Sequence, residues 1–401
     1  MDDSRQEDLM PVTIRTTISA LVVGALLAGT AARTTAQQRD AGRVRVDTLE
    51  GGRIVVSNPD SPLAGPQGAP TLVEVLRIGS LDDTCDAFGD VMSLAVDGDG
   101  RIYVADRQAS EIRVFSPQGE CLRTFGRSGE GPGEFSLLAG IAWQPPGFLW
   151  TIDSVAERFT VFDSLGTVLA THPLRLGPAA AHPWPMWVDG GGSLHFWVPG
   201  FDRIVRYGTG PGLDSLESVP EPDRIPTREA YTEQAAVGGS RISVQRGIPY
   251  LPHILWTMNP SGNMWQANSS SFAIHETTYG GDTLRIVRLD REAPRLEGRE
   301  RDSIANAIGI AARRLPERKR AFEDIRTSPD GWVWIETEQG ATRAWEVFDE
   351  RGYYLGRVAS PVPIEKKPFP VFGNGMVTGV TLDELDVPYV VQLRLRIVRG
   401  G

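Results

Sequence analysis

Residues 93–126 read SLAVDGDGRIYVADRQASEIRVFSPQGECLRTFG, and residues 140–174 repeat the plan as GIAWQPPGFLWTIDSVAERFTVFDSLGTVLATHPL. Laid over each other without a gap, Gly100 falls on Gly147, Ile102 on Leu149, Tyr103 on Trp150, Asp106 on Asp153, Phe115 on Phe162 and Gly119 on Gly166. Each copy holds four short apolar runs divided by turn residues. In the first copy these are Ser93–Val96, Arg101–Ala105, Glu111–Phe115 and Cys121–Phe125. Runs of this length, bounded by Asp-Gly and Pro-Gln-Gly, predict strands joined by hairpin turns. Four strands recurring at a period in the forties is the pattern of a propeller blade.

The turn glycine can be followed through the rest of the chain. It recurs as Gly192, Gly262, Gly331 and Gly375, and the steps from Gly100 onward are 47, 45, 70, 69 and 44 residues. Six units fit, and two connections carry inserts of roughly 25 residues beyond the basic period. The position of Tyr103 recurs as Trp150, His195, Trp265, Trp334 and Thr378, mostly bulky residues expected between blades. After Gly375 there is room for only two strands, Met376–Thr381 and Pro388–Val398. The unassigned run Thr71–Ile78 is expected to supply the missing outer strand of the last blade, which closes the ring and covers its sheet edges. The expected fold is all-β: a six-bladed β-propeller over residues 71–401, closed by its N-terminal strand, with one helical insert. Residues 37–70 are expected to hold a hairpin around Glu50-Gly51-Gly52 and a Pro-rich linker.

The passage GRIYVADRQASEIRVFSPQGECLRTFGRSGEGPGEF resembles an NHL-type repeat, strongly over residues 90–170 and in weaker register beyond. The resemblance implies a six-bladed, TolB-like propeller of the kind found in secreted bacterial proteins. Related six-bladed folds include lyases and lactonases that place His or metal-binding carboxylates at the pocket mouth.

The net charge of −10 argues against a nucleic-acid scaffold with a basic face. Residues 10–36 read as a secretory leader: Arg15 is basic, Ile18–Leu27 is apolar, and Thr34-Thr35-Ala36 offers small residues for cleavage. The stretch is too short for a membrane span, and translation is expected to start at Met10. The run Leu27-Ala28-Gly29-Thr30 has Thr where a lipidated Cys would be required, so no lipid anchor is expected. The chain is expected to be exported, to the periplasm or beyond. Its two cysteines, Cys85 and Cys121, are expected to form a disulfide in that oxidising setting.

Both long inserts are blade-to-blade connections flanking the fourth unit, so they should rise from one face in one sector. The first, about residues 220–253, is rich in Pro and Gly and shows no strong period. The second, about residues 296–325, reads as a helix capped by Asp302 or Ser303, with an apolar stripe of Ile304, Ile308, Ala311, Ala312 and Leu315. From Arg295 to Arg320 there are eight basic and four acidic residues. They make either a solvated face or a basic lid that attracts an anion, with Arg313 and Arg314 at its centre.

Turns after the second strand of each unit fall on the same face. They offer Asp106 and Arg107, Asp153 and Arg158, Asp202 and Arg203, Asn268, and Glu336 as binding residues. The repeated Asp106 and Asp153 also suit a purely structural part, accepting backbone N–H groups in their turns. His182 and His253 precede the first strands of units three and four. An enzyme would use His253 or His182 as general base, with Glu336 and Asn268 holding a divalent cation. Trp184 and Trp187 offer stacking surfaces for a sugar. No phosphate loop, GxSxG or HExxH stands in the sequence. The expected protein is a monomeric binding or interaction module for a protein, peptide, sugar or small anion, engaged on the insert-bearing face near units three to five. The rival expectation is a metal-assisted, lactonase-like lyase or hydrolase on the same face.

Overall fold

The apolar runs of every unit fold into antiparallel strands. A computed structural model describes residues 43–63, 70–82, 85–174, 185–198, 203–220, 230–237, 240–337 and 342–397. The leader-like segment and Met10 lie outside these residues, as do His182, Trp184 and Asp202. Three strands precede the repeats: β1 (Arg45–Thr48), β2 (Ile54–Asn58) and β3 (Thr71–Ile78). Blade one holds β4 (Val91–Val96), β5 (Ile102–Asp106), β6 (Glu111–Phe115) and β7 (Cys121–Phe125). Blade two holds β8 (Leu138–Gln144), β9 (Phe148–Asp153), β10 (Arg158–Asp163) and β11 (Val168–Pro173). Blade three holds β12 (Met186–Val188), β13 (Leu194–Val198), β14 (Arg203–Tyr207) and β15 (Ser215–Pro220). A separate hairpin of β16 (Ala230–Val237) and β17 (Ser240–Gly247) follows. Blade four holds β18 (Ile254–Met258), β19 (Met264–Asn268), β20 (Ala273–Thr277) and β21 (Thr283–Leu289). Helix α1 (Gly298–Ile308) leads to blade five, β22 (Asp324–Thr327), β23 (Val333–Thr337), β24 (Ala344–Phe348) and β25 (Tyr354–Ala359). Blade six holds β26 (Val371–Gly373), β27 (Met376–Leu382) and β28 (Pro388–Arg396), with β3 as its fourth strand.

The repeated positions act as the sequence implies. Gly100, Gly192, Gly262, Gly331 and Gly375 all have positive φ in the turn between first and second strands, a conformation that favours glycine. Tyr103, Trp150, His195, Trp265, Trp334 and Thr378 are all buried. Three of them are tied to the turn just before them. Tyr103 Oη donates to Asp97 at 3.2 Å, Trp150 Nε1 donates to Gln144 at 2.8 Å, and His195 Nε2 lies 3.0 Å from Asp189. Their rings join neighbouring blades: Tyr103 clusters with Ile141 and Phe162 of blade two, and Trp150 with Leu194 and Phe196 of blade three. Fully burying such a side chain contributes about 2–3 kcal/mol.

The ring closes where expected. Strand β3 pairs antiparallel with β28 from Thr71↔Arg396 to Ile78↔Val390. The hairpin of β1 and β2 goes somewhere sequence reading did not place it. Strand β2 runs parallel to β21, so blade four becomes a six-stranded sheet. Asn58 locks this strap: Nδ2 donates to Arg288 O at 3.1 Å and Gly352 O at 2.9 Å, and Oδ1 accepts from Tyr354 N at 2.9 Å. Leu63 N–H then donates to Tyr354 O at 3.0 Å on blade five. Arg291 fastens the same region, reaching Asp60 and the fully buried Glu346, each at 2.6 Å. Before its ring begins, the chain therefore touches blades four, five and six. Cys85 and Cys121 are bonded to each other, Cα atoms 6.3 Å apart, tying the approach to blade one to its outer strand.

The inserts correct two expectations. The first, where no strong period announced an element, holds a hairpin, because β16 and β17 pair over their whole length. In the second, the helix begins at Gly298 rather than at Asp302 or Ser303, which lie inside it. Its first turn, Gly298–Arg301, is wholly polar and so invisible to an apolar period. Gly309, at φ 71°, ends the helix before Ala311. The expected stripe continues beyond that break as a tight turn over Ala312–Arg314. Residues 317–323, within the stretch of about 296–325 that reads as helix, form an irregular approach to β22.

Candidate functional site

Successive strands of a blade alternate in direction. Turns between second and third strands therefore share a face with the connections between blades, and both inserts lie on that face. Ile248 and Tyr250 of the first insert pack with Leu296, Ile304, Ala305 and Leu315 of the second in a single apolar cluster. The basic excess of the second insert is largely tethered. Arg301 donates to Pro316 O, Arg318 to Ala293 O and Glu292, and Arg320 to Leu251 O and Glu323; Lys319 pairs with Glu300 at 2.6 Å. Arg295, Arg299 and Arg313 remain exposed, and Arg314 is half-buried.

Where the second insert returns to blade five, it meets the start of blade four. The His253 N–H donates to Ser269 Oγ at 3.0 Å, and the Ser269 N–H donates to His253 O at 3.1 Å. The Ala321 N–H donates to Ser269 O at 2.7 Å. Burial pushes the His253 imidazole below its ordinary pKa, the Arg320 cation pushes the same way, and Glu323 and Asp324 oppose it. The ring is thus neutral at neutral pH and able to accept a proton. Glu336 is buried on β23, one strand further from the axis, and paired with Arg343, whose Nη1 also donates to Glu365 O at 3.0 Å. Blades four and five thus meet in a half-buried group of His253, Arg320, Glu323 and Asp324, with Glu336 and Arg343 beside it.

The other expected site residues are mostly engaged by their own loops. Asp106 accepts N–H groups from Gly89 at 2.9 Å and from Asp90 and Ala109 at 3.2 Å. Asp153 repeats the arrangement with Ser136 at 2.7 Å, Leu137 at 3.1 Å and Ala156 at 2.9 Å. Each carboxylate so joins the segment ahead of its blade to the turn after the second strand. Arg107 pairs with Asp90, and Arg158 donates to the carbonyls of Glu130, Gly131 and Glu134. Asn268 is exposed and accepts from Ser270 N at 3.0 Å, while Arg203 is exposed at the start of β14. Among the described residues, no three His, Cys, Asp or Glu side chains gather closely enough to hold a metal ion. Glu336 is therefore not part of such a set.

Sequence reading missed one polar chain. His195 occupies the blade-packing position usually held by an aromatic ring, and it is fully buried. One ring nitrogen faces Asp189, which also pairs with Arg206 at 3.2 Å, and the other hydrogen-bonds Tyr279 of blade four. Burial lowers the His195 pKa, and Asp189 opposes that shift. Burial would raise the Asp189 pKa, but hydrogen bonds from His195 and Ser193 bring it below the ordinary range. A histidine at a ring position was the available signal; its partner on another blade was not.

A cavity of about 230 Å³ lies on the axis, walled by the innermost strands of all six blades. Pro260, Ser328 and Pro329, from turns that follow first strands, also line it. Those turns are on the face opposite the inserts. The wall is chiefly apolar, with Met92, Trp143, Trp187, Met258 and Phe369 around Arg326.

A family described as 6-bladed beta-propeller matches residues 84–167, from just ahead of blade one to the turn before the last strand of blade two. The chain is a six-bladed propeller. The propeller's sequence matches no curated protein. Among solved structures, a Bacteroides fragilis protein described as exported is 10% identical, with 86% of this chain and 99% of that one covered and a TM-score of 0.49. Virginiamycin B lyase from Staphylococcus aureus is 13% identical over 81% and 99%, with a TM-score of 0.44. A Streptomyces coelicolor aldose sugar dehydrogenase is 11% identical over 84% and 100%, with a TM-score of 0.43. No helix among the propeller's described residues is long and apolar enough to cross a membrane.

Proposed function

We propose that the propeller is an exported binding module whose ligand, a small anion, docks on the insert-bearing face beside blades four and five. The observation that carries this reading is the shared apolar cluster of the two inserts. Segments far apart in sequence condense into one raised wall, next to the group formed by His253, Arg320 and Glu323. Exposed Arg295, Arg299 and Arg313 supply positive charge on that wall. Export is supported by the disulfide and by the leader-like residues 10–36. A thermal-shift screen of sugar phosphates, dicarboxylates and sulfated sugars tests the reading. Hits should lose at least about tenfold in affinity in Arg299→Glu/Arg313→Glu, as expected when two attractive charges become repulsive. Unchanged affinity for every hit would remove the insert face from the proposal.

A second reading draws on His253. A neutral imidazole between an arginine and two carboxylates suits a general base, as a lyase or lactonase-like hydrolase would need. Stoichiometric divalent metal in the purified protein, with lactone turnover lost in His253→Gln, would favour that reading over a pure binding module.

A further inference from the structure

We infer that the axial cavity is a second binding site, on the face opposite the inserts, for a small apolar monocarboxylate. The argument starts from the wall's polar side chains. Ser93 Oγ accepts from Ile141 N at 3.1 Å. Thr327 Oγ1 donates to Met258 O, and Ser328 Oγ donates to Asp330. These three hydroxyls have partners within the protein. Thr257 does not: it is 1% exposed, and its Oγ1 has no hydrogen-bond partner among the described residues. A buried hydroxyl without a partner is costly unless something else satisfies it.

Arg326 is the second polar feature. Its Nε and Nη2 reach Asp324 at 2.8 and 2.7 Å, and its guanidinium lies 4.0 Å from the centre of the Phe369 ring. Stacking directs all five N–H donors outward in the guanidinium plane, and Asp324 occupies one edge. The donors on the other edge are what the cavity offers an oxygen ligand. Asp324 takes one edge of the fork, so the free edge offers donors for the two oxygens of one carboxylate; a dianion would bring a second charge that no remaining donor meets.

The rest of the wall selects an apolar body. Met92, Met186 and Met258 adapt to irregular shapes, and Trp143 and Trp187 present ring surfaces. The volume, about 230 Å³, falls just below the ~300–1,000 Å³ range of drug-sized pockets. It therefore suits one ring or one short branched chain bearing its carboxylate.

Phenylacetate is the probe, with phenylacetamide as its neutral analogue, titrated into the full chain by tryptophan fluorescence. Phenylacetate should give a saturable change and bind at least about tenfold more tightly than the amide. Thr257→Val keeps the side-chain shape, removes the unpaired hydroxyl, and should weaken binding about five- to tenfold. Met92→Trp, which fills the cavity, should abolish it. Arg45→Glu, exposed on the outer strand β1, should leave it unchanged, whereas a loss in Arg299→Glu/Arg313→Glu would assign the response to the insert face, so failure here and failure of the insert-face reading are distinguishable. The inference is overturned if the wild-type protein shows no saturable response, if the amide binds equally well, or if Thr257→Val and Met92→Trp bind as the wild type does.

Discussion

Reducing the Cys85–Cys121 bond should destabilise the propeller by an amount its loop length sets. The bridge closes a loop of 36 residues, from the approach to blade one to that blade's outer strand. By the chain-entropy relation, opening such a loop in the unfolded ensemble lowers stability by about 4 kcal/mol. The body spanning Val44–Gly401 has an unfolding entropy of roughly 0.75 kcal/mol per kelvin, from average per-residue values. The expected loss in melting temperature is therefore about 5 °C. Differential scanning calorimetry with and without reductant, alongside Cys85→Ser/Cys121→Ser, measures it, with free thiols confirmed by mass. Native contacts near the bond give the loss a place to begin. Gly119, two residues before Cys121, turns at φ 87° with Leu76 and Ile78 of the closing strand β3 against it. A loosened blade one should therefore also loosen the closure. A shift under about 1 °C, with both thiols shown to be free, would refute the loop-entropy reasoning.

Asn58→Ala removes three hydrogen bonds that hold the N-terminal strap to blades four and five, and should lower stability by about 2–3 kcal/mol in urea unfolding. An unchanged midpoint would show that the strap is not part of the cooperative unit. Burial lowers the pKa of His195, His253 and His275, so below about pH 6.5 the unfolded chain binds protons that the folded one does not. Stability should fall as pH drops through that value, and His195→Asn should flatten the slope; a urea midpoint that rises on acidification would contradict the burial argument.

Much of the ring was legible because its signals are local. Asp99-Gly100 and its counterparts mark turns, and apolar runs between them set strand length. Even the closure was readable, since blade six visibly lacked a fourth strand and Thr71–Ile78 lacked a sheet. The inserts were harder. The Gly238-Gly239 pair between the segments that form β16 and β17 is a hairpin signal in the sequence, masked by the surrounding Pro- and Gly-rich composition. The start of α1 was hidden because a polar first turn carries no period.

The sites show the same division. Asp106 and Asp153 stood out because they repeat, and they repeat because every turn of that kind presents backbone N–H groups to be accepted. What does not repeat was harder to see. Arg343 beside Glu336 is close in sequence, but Tyr279 against His195 spans blades three and four. The parallel seat of β2 on β21 and the unpaired Thr257 hydroxyl likewise depend on partners far along the chain.

The sequence alone determined six blades, their closure and the two swollen connections, because strand length, turn chemistry and period are properties of neighbouring residues. Only the tertiary structure decided that the inserts share one core, that the N-terminus straps blade four, and that the axial cavity sets one arginine and four hydroxyls among apolar side chains. Those features arise where residues from separate blades meet. No spacing rule along the chain relates them, because closing the ring is what brings them together.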